Sequence, residues 1–176
     1  FGRRDFVAVV IGDGDALPGV RRLATELGVE PFVRFTGRLS ELDSRRHLSA
    51  TTVCVQPDPL SPLNDHSTMN KLMEYMALGK PTVAFDLLET RRSADGAALY
   101  ARVDDEREFA RLVARLLDDP AERQRLGAIG QQRVAQGLAW EYSVPELLRA
   151  YREGLGLDLP APAAAAQAVA GGSPRP

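Results

Sequence analysis

Cysteine is almost absent from this chain of 176 residues, where Cys54 stands alone. A single thiol builds neither an intrachain disulfide framework nor a cysteine metal cluster. Because Cys54 lies in a short β-prone run, it is expected to be a small core residue. Histidine is nearly as scarce: His47 and His66 are far apart and lack the spacing of a zinc pair, so no metal site is expected. Aromatic residues make up 6%, the formal net charge is -2 and the pI is about 5.8. That leaves neither an electropositive footprint nor a base-stacking platform, which excludes a nucleic-acid binder. No apolar run approaches the roughly 20 residues that span a bilayer, and the first residues lack a signal-peptide pattern. The expectation is a cytoplasmic protein. The chain begins at Phe1 and enters a strand within a few residues, as a piece of a longer protein would.

What is present is an alternation of strand-like and helix-like segments. Residues 6–11, FVAVVI, form a nearly continuous apolar, β-branched run that suits a central parallel strand, and it closes in Gly12-Asp13-Gly14. A helix is expected over 18–27, with Val20, Leu23, Ala24 and Leu27 at helical spacing and Gly28 as its stop. A strand over 33–36 ends at Gly37, and a helix follows over 39–48. Residues 51–55 read as a strand, 56–62 as a proline-rich loop and 82–85 as a buried strand. An edge strand is expected over 98–100, then helices over 104–117, 120–135 and 144–151, with Trp140 and Tyr142 anchoring the last. This order is the α/β signature of a Rossmann-like parallel sheet flanked by helices, with extra C-terminal helices. One domain over 1–157 is expected. The Pro/Ala/Gly-rich tail, 158–176, has the composition of a disordered segment.

The segment 64–81, NDHSTMNKLMEYMALGKP, carries the clearest functional pattern. At about 100° per residue, Met69, Leu72, Met73 and Met76 share one helix face, and Ser67, Asn70, Lys71 and Glu74 share the other. The expected helix runs over 67–78, with Asp65 or Ser67 as N-cap and Gly79 followed by Pro81 as its stop. Between strands, such a helix starts at the carboxyl edge of a parallel sheet, where open α/β folds bind ligands. Its free amides and dipole favour an anion, Lys71 adds a positive charge, and Glu74 one turn deeper suits hydroxyl donors such as a ribose. The same pattern fits ordinary amphipathicity, with Lys71 and Glu74 as a solvated ion pair. His66 and Asn70 taken singly fit local capping, and residues 89–92 fit a helix cap with a surface basic pair. Gly12-Asp13-Gly14 after a strand is only part of a dinucleotide fingerprint, since position 17 is Leu17 and no GK[ST] sequence occurs. Gly12 and Gly14 suit a tight turn bordering a ligand cleft.

Three blocks in this order resemble the C-terminal, donor-binding domain of GT-B glycosyltransferases of the group 1 type, also called family 4. Val9-Val10-Ile11-Gly12-Asp13-Gly14 resembles that family's V-x-G-x-G turn, and Val33-Arg34-Phe35-Thr36-Gly37-Arg38-Leu39 its V-x-F-x-G-x-L block. Glu74-Tyr75-Met76-Ala77-Leu78-Gly79-Lys80-Pro81-Thr82-Val83-Ala84 resembles its E-A-M-A-x-G-x-P-V-V block, and a weak counterpart of its closing F-x-W segment lies at 138–142. The likeness covers about residues 6–153 and lacks the fold's first strand-helix unit. It implies a retaining hexosyl transfer from a nucleoside-diphosphate sugar, with no cofactor and no metal at the diphosphate. Glu74 takes the place of the second glutamate of the family's E-x7-E motif, on the ribose. The helix start at Ser67, Thr68, Met69 and Asn70 meets the diphosphate, and Gly37, Arg38 and Leu39 border the base.

Two departures stand out. His66 occupies the place of the motif's first glutamate, which contacts the transferred sugar, so the donor sugar is left open. The family's G-R-x-x-x-x-K-G region belongs upstream of residue 6 and is not in this sequence; Lys71 is the candidate for supplying some of its charge. The resemblance implies that a sugar or lipid-linked acceptor, and any peripheral attachment to the inner face of a membrane, belong to an N-terminal domain outside this sequence. A noncatalytic nucleotide-sugar-binding module and a sugar-nucleotide epimerase of the same fold are the alternatives.

Overall fold

A computed structural model describes residues 2–156, so the expected tail at 158–176 lies outside the described residues. The backbone falls into two compact units that divide after Thr51. The first contains β1 (Ala8–Ile11), α1 (Leu17–Glu26), a 3-10 turn (Glu30–Phe32), β2 (Val33–Gly37) and α2 (Glu41–Ala50). β1 and β2 are parallel, with Ala8 opposite Val33, and the register slips between Val10 and Ile11 so that Ile11 faces Gly37. Ser40 starts α2 by accepting from the Asp43 amide at 3.1 Å. Residues 6–11 read as a central strand, yet β1 has one strand neighbour and is exposed along its length, Val9 at 45%. Its apolar composition answers to two covered faces and two paired edges; the described residues supply one edge.

The second unit holds the larger sheet. Its elements are β3 (Cys54–Gln56), α3 (Pro62–His66), α4 (Asn70–Ala77), β4 (Thr82–Phe85), α5 (Leu88–Ala94), β5 (Ala98–Ala101), α6 (Glu106–Asp118), α7 (Pro120–Arg133), a π-helical stretch (Val134–Leu138) and α8 (Trp140–Leu155). The strands run parallel in the order β3-β4-β5, which puts β5 at an edge as its sequence suggested. All four residues of β4 are buried. Alternation along the strands separates two cores: Ala98 packs with Leu72, Met76, Ala94 and Ala97, while Val83 and Leu99 pack with Leu116 and Leu126. α4 and α5 therefore cover one face, and α6 covers the other.

The helix expected over 67–78 starts later, at Asn70, and a separate short helix, α3, precedes it. The chain turns through α3, runs extended at Ser67 and Met69, and re-enters helix at Asn70. Neither proposed cap serves α4. The Ser67 hydroxyl donates back to the Leu63 carbonyl at 2.6 Å, and the Asp65 carboxylate accepts from the Leu88 amide at 2.8 Å, capping α5 instead. The stop is as read: Gly79 has φ +64, its amide bonds to the Met76 carbonyl, and the Lys80 amide bonds to the Tyr75 carbonyl. These two bonds are a Schellman closure.

Two glycines of α7 bring that helix close to α4. A Cβ on Gly127 would lie 2.2 Å from the Gly79 carbonyl oxygen, and one on Gly130 about 3.1 Å from Met76. Gly127→Ala therefore forces α7 away from α4. A loss of about 1–3 kcal/mol is expected, read as a lower urea midpoint at unchanged m-value. Burial also pushes the Cys54 thiol and the Tyr75 phenol each up to about 12. Unfolded, these groups ionise nearer 9.0 and 10.0, so the unfolded chain loses protons first as the pH rises. Their contribution to stability is complete below pH 9.0 and falls away toward pH 12. Urea midpoints across that range should decline, with Cys54→Ala weakening the onset nearest 9.0.

Candidate functional site

The amino end of α4 lies on the carboxyl side of the β3-β4-β5 sheet, because α4 returns the chain from β3 to the start of β4. Met69 is the N-cap, in extended conformation (φ -90, ψ 112), and its side chain has no oxygen to offer. The amides of Met69, Asn70 and Lys71 accordingly have no acceptor among the described residues. Four other helices are closed by their N-cap side chains, Ser40 on α2, Ser61 on α3, Asp105 on α6 and Asp119 on α7, while α1 and α8 share the uncapped start of α4. An open helix start leaves several N–H dipoles aimed at whatever occupies the space before it.

The expected division of faces holds over α4. Leu72 and Met76 are buried, Met69 and Met73 pack beside them, and Asn70 and Glu74 are exposed. Lys71 and Glu74 do not pair. Lys71 Nζ instead donates to Asp58 Oδ1 at 2.7 Å, and the second oxygen of Asp58 is buried without a hydrogen-bond partner. The Lys71 charge is thus already balanced by a carboxylate from the β3–α3 loop. The Glu74 carboxylate has no hydrogen bond or ion pair among the described residues. His66 ends α3 with an exposed ring.

Ser67 and Thr68 lie in the break rather than in the helix, and both are held. Thr68 Oγ1 donates to Glu89 Oε1 at 2.9 Å, and Glu89 also accepts from Ser93 at 3.3 Å. The loop before α3 is fastened as well: Asn64 Nδ2 donates to the Pro59 carbonyl at 2.8 Å. At the end of β3, buried Gln56 donates to buried Thr90 at 2.8 Å and ties that strand to α5. Residues 89–92 are therefore helix, with inward-facing Thr90 and with Arg91 gripping Asp86 at 2.6 Å while stacking over Tyr100 at 4.2 Å. Asp58 was not singled out from sequence, and neither were the partners that Asp65 and Glu89 hold. Their partners lie 13, 23 and 21 residues away, so no local pattern announces them.

In the first unit the two glycine turns meet. The Gly12 amide donates to the Gly37 carbonyl at 2.9 Å, and Gly37 has φ +69, which L side chains rarely adopt. Gly12, Gly14, Gly37, Arg38 and Leu39 thus cluster at the carboxyl ends of β1 and β2. Arg38 reaches Asp13 at 3.4 Å, but the pair is exposed and contributes little. Among the described residues there is no group of three or more side chains suited to a metal ion. No helix among them is long and apolar enough to cross a membrane.

Chemically, the α4 region offers amide donors for an anion, one exposed carboxylate acceptor a turn away, and a lysine already in an ion pair. The sequence profile of the family described as "Glycosyl transferases group 1" matches residues 2–119. The D-inositol 3-phosphate glycosyltransferase of Thermomonospora curvata is 31% identical over 156 residues, covering 85% of this chain and 35% of that protein. A GDP-mannose-dependent monoacylated alpha-(1-6)-phosphatidylinositol monomannoside mannosyltransferase of Corynebacterium glutamicum is 31% identical over 144 residues, covering 79% and 37%. Sucrose-phosphate synthase from Thermosynechococcus elongatus shares the fold with a TM-score of 0.74 at 24% identity, over 84% of this chain and 38% of that one. The chain spans a little over a third of the length of these proteins. It belongs to the group 1 glycosyltransferases and corresponds to the C-terminal domain of their GT-B fold.

Proposed function

We propose that this chain is the donor-binding part of a retaining glycosyltransferase, which moves a hexosyl group from a nucleoside-diphosphate sugar to an acceptor held by the rest of the protein. The observation that carries the reading is the pairing, on one helix, of an uncapped amino end with an unengaged carboxylate at Glu74. As the bond from the sugar to the diphosphate breaks, negative charge grows on the departing diphosphate. Amides fixed by the fold at Met69 and Asn70 meet that charge without reorganising. Glu74 accepts hydrogen bonds from the ribose hydroxyls. His66 offers a ring nitrogen toward the transferred sugar. The mannosyltransferase relative, whose name makes it GDP-mannose-dependent, supports a nucleotide-linked donor. The reading calls on no metal: the amides at Met69 and Asn70 take up diphosphate charge. Lys71 contributes less than its charge suggests, because Asp58 balances it.

Calorimetric titration of the full-length protein with uridine, guanosine and adenosine diphosphates tests this. One of them should bind, and Glu74→Gln should weaken it by roughly ten- to a hundredfold, the equivalent of about 1.5–3 kcal/mol for a charged hydrogen bond. Unchanged affinity in that variant would remove Glu74 from the ribose. Asp58→Asn, which leaves the Lys71 charge unbalanced, should tighten diphosphate binding about three- to tenfold, whereas Lys71→Met should change it by less than Glu74→Gln does. Turnover of the donor by the same preparation separates a transferase from a module that only binds.

A further inference from the structure

On the opposite face of the β3-β4-β5 sheet from α4, an open surface cavity lies at the carboxyl ends of the strands. Its volume is about 390 Å³, and it is lined by Pro57, Pro59, Phe85, Asp104, Glu106 and Phe109, with Ala110 beside them. Pro57 follows β3, Phe85 ends β4, and Asp104 lies in the turn between β5 and α6. The floor is apolar: Phe85 is 7% exposed, and its ring meets that of Phe109 at 5.0 Å between centroids and 58° between planes. Pro57 and Pro59 form the wall. They flank Asp58, which reaches Lys71, so one short loop serves both sites. At the rim, the carboxylates of Asp104 and Glu106 are exposed and engage no donor among the described residues. Among the described residues, no lysine or arginine lines the cavity.

This combination is selective. Carboxylates only accept hydrogen bonds, so the occupant brings donors. Rings of phenylalanine and proline reward an apolar face laid against them. A hydrocarbon would strip water from the two carboxylates without replacing it, and a phosphate or carboxylate would meet like charge with no cation to offset it. A pyranose presents hydroxyl donors at its edge and C–H groups on its face, and the cavity is of a size that holds a small ligand. We propose that this cavity is a saccharide subsite, distinct from the α4 site, that takes a neutral or amino-bearing pyranose and rejects anionic sugars. The assignment of the occupant to saccharides rests on the glycosyltransferase reading.

Saturation-transfer NMR on the full-length protein tests it, with methyl α-glucopyranoside and glucosamine as probes and glucuronate and glucose 6-phosphate as anionic comparisons. Transfer should reach the first two, strongest at ring C–H protons, and not the anionic pair. It should fall at least about tenfold in the double variant D104N/E106Q and in Phe109→Leu. Asp104 has φ +59, a conformation asparagine tolerates, so the substitution keeps the backbone. Nucleoside diphosphate titrations of the same samples report on the α4 site. If the diphosphate binds while neutral pyranosides give no transfer, equal transfer with the anionic pair, or transfer indifferent to the variants, the subsite is wrong and the donor reading stands. If pyranosides behave as expected and no diphosphate binds, the subsite stands and the donor reading falls. Failure of both removes the subsite.

Discussion

The site depends on how α4 is held. Leu72 and Met76 are buried to 0% and 1% exposure against α5 and the start of β5, and α7 closes over the same helix where Gly127 and Gly130 let the two backbones approach. Side chains at those positions would stand where the Gly79 carbonyl and Met76 now are. Packing along its apolar face and the Schellman closure at its end hold the helix in one position and rotation. Its first turn is thereby left open at the sheet edge, with the amides in a fixed place.

Fixed dipoles matter because the other charged side chains nearby are already engaged. Lys71 is paired to Asp58, Asp65 caps α5, and Glu89 holds Thr68. Among the described residues, the groups left unengaged include the amide donors and the Glu74 carboxylate, which differ in what they attract. An anion suits the first and a hydroxylated group the second. Neutralising Lys71 in advance also lowers the cost of holding a cation beside β3, since a half-buried lone charge is expensive.

Much of this was legible in the sequence, and what was not has a physical cause. The strand Thr82–Phe85 was read to the residue because an apolar β-branched run between a Gly-x-Pro stop and a charged loop has no competing interpretation. The faces of α4 were legible because helical periodicity is local. The break at residues 67–69 was not: Ser67 and Asp65 look like caps for the helix that follows, but one bonds backward to Leu63 and the other across to Leu88. Periodicity is equally blind to α3, whose short turn begins at Pro62 behind a Ser61 cap. The role of α7 was hidden because a helix rich in arginine and glutamine reads as a surface element, while its two glycines act through backbone proximity. In the first unit, the run at residues 6–11 was read as a buried strand, but the strand spans only Ala8–Ile11 and is exposed, since composition reports the burial a segment is suited to, not the neighbours it has.

The central claim is that the open amino end of α4 receives the diphosphate. Amide resonances of Met69, Asn70 and Lys71, followed by nitrogen-15 NMR while the full-length protein is titrated with the nucleoside diphosphate that binds it, test this most directly. The account predicts that these three amides show the largest shifts, moving downfield as they take up an anionic acceptor, and saturating with the calorimetric affinity. Saturating binding that leaves them unmoved while amides elsewhere shift would contradict it.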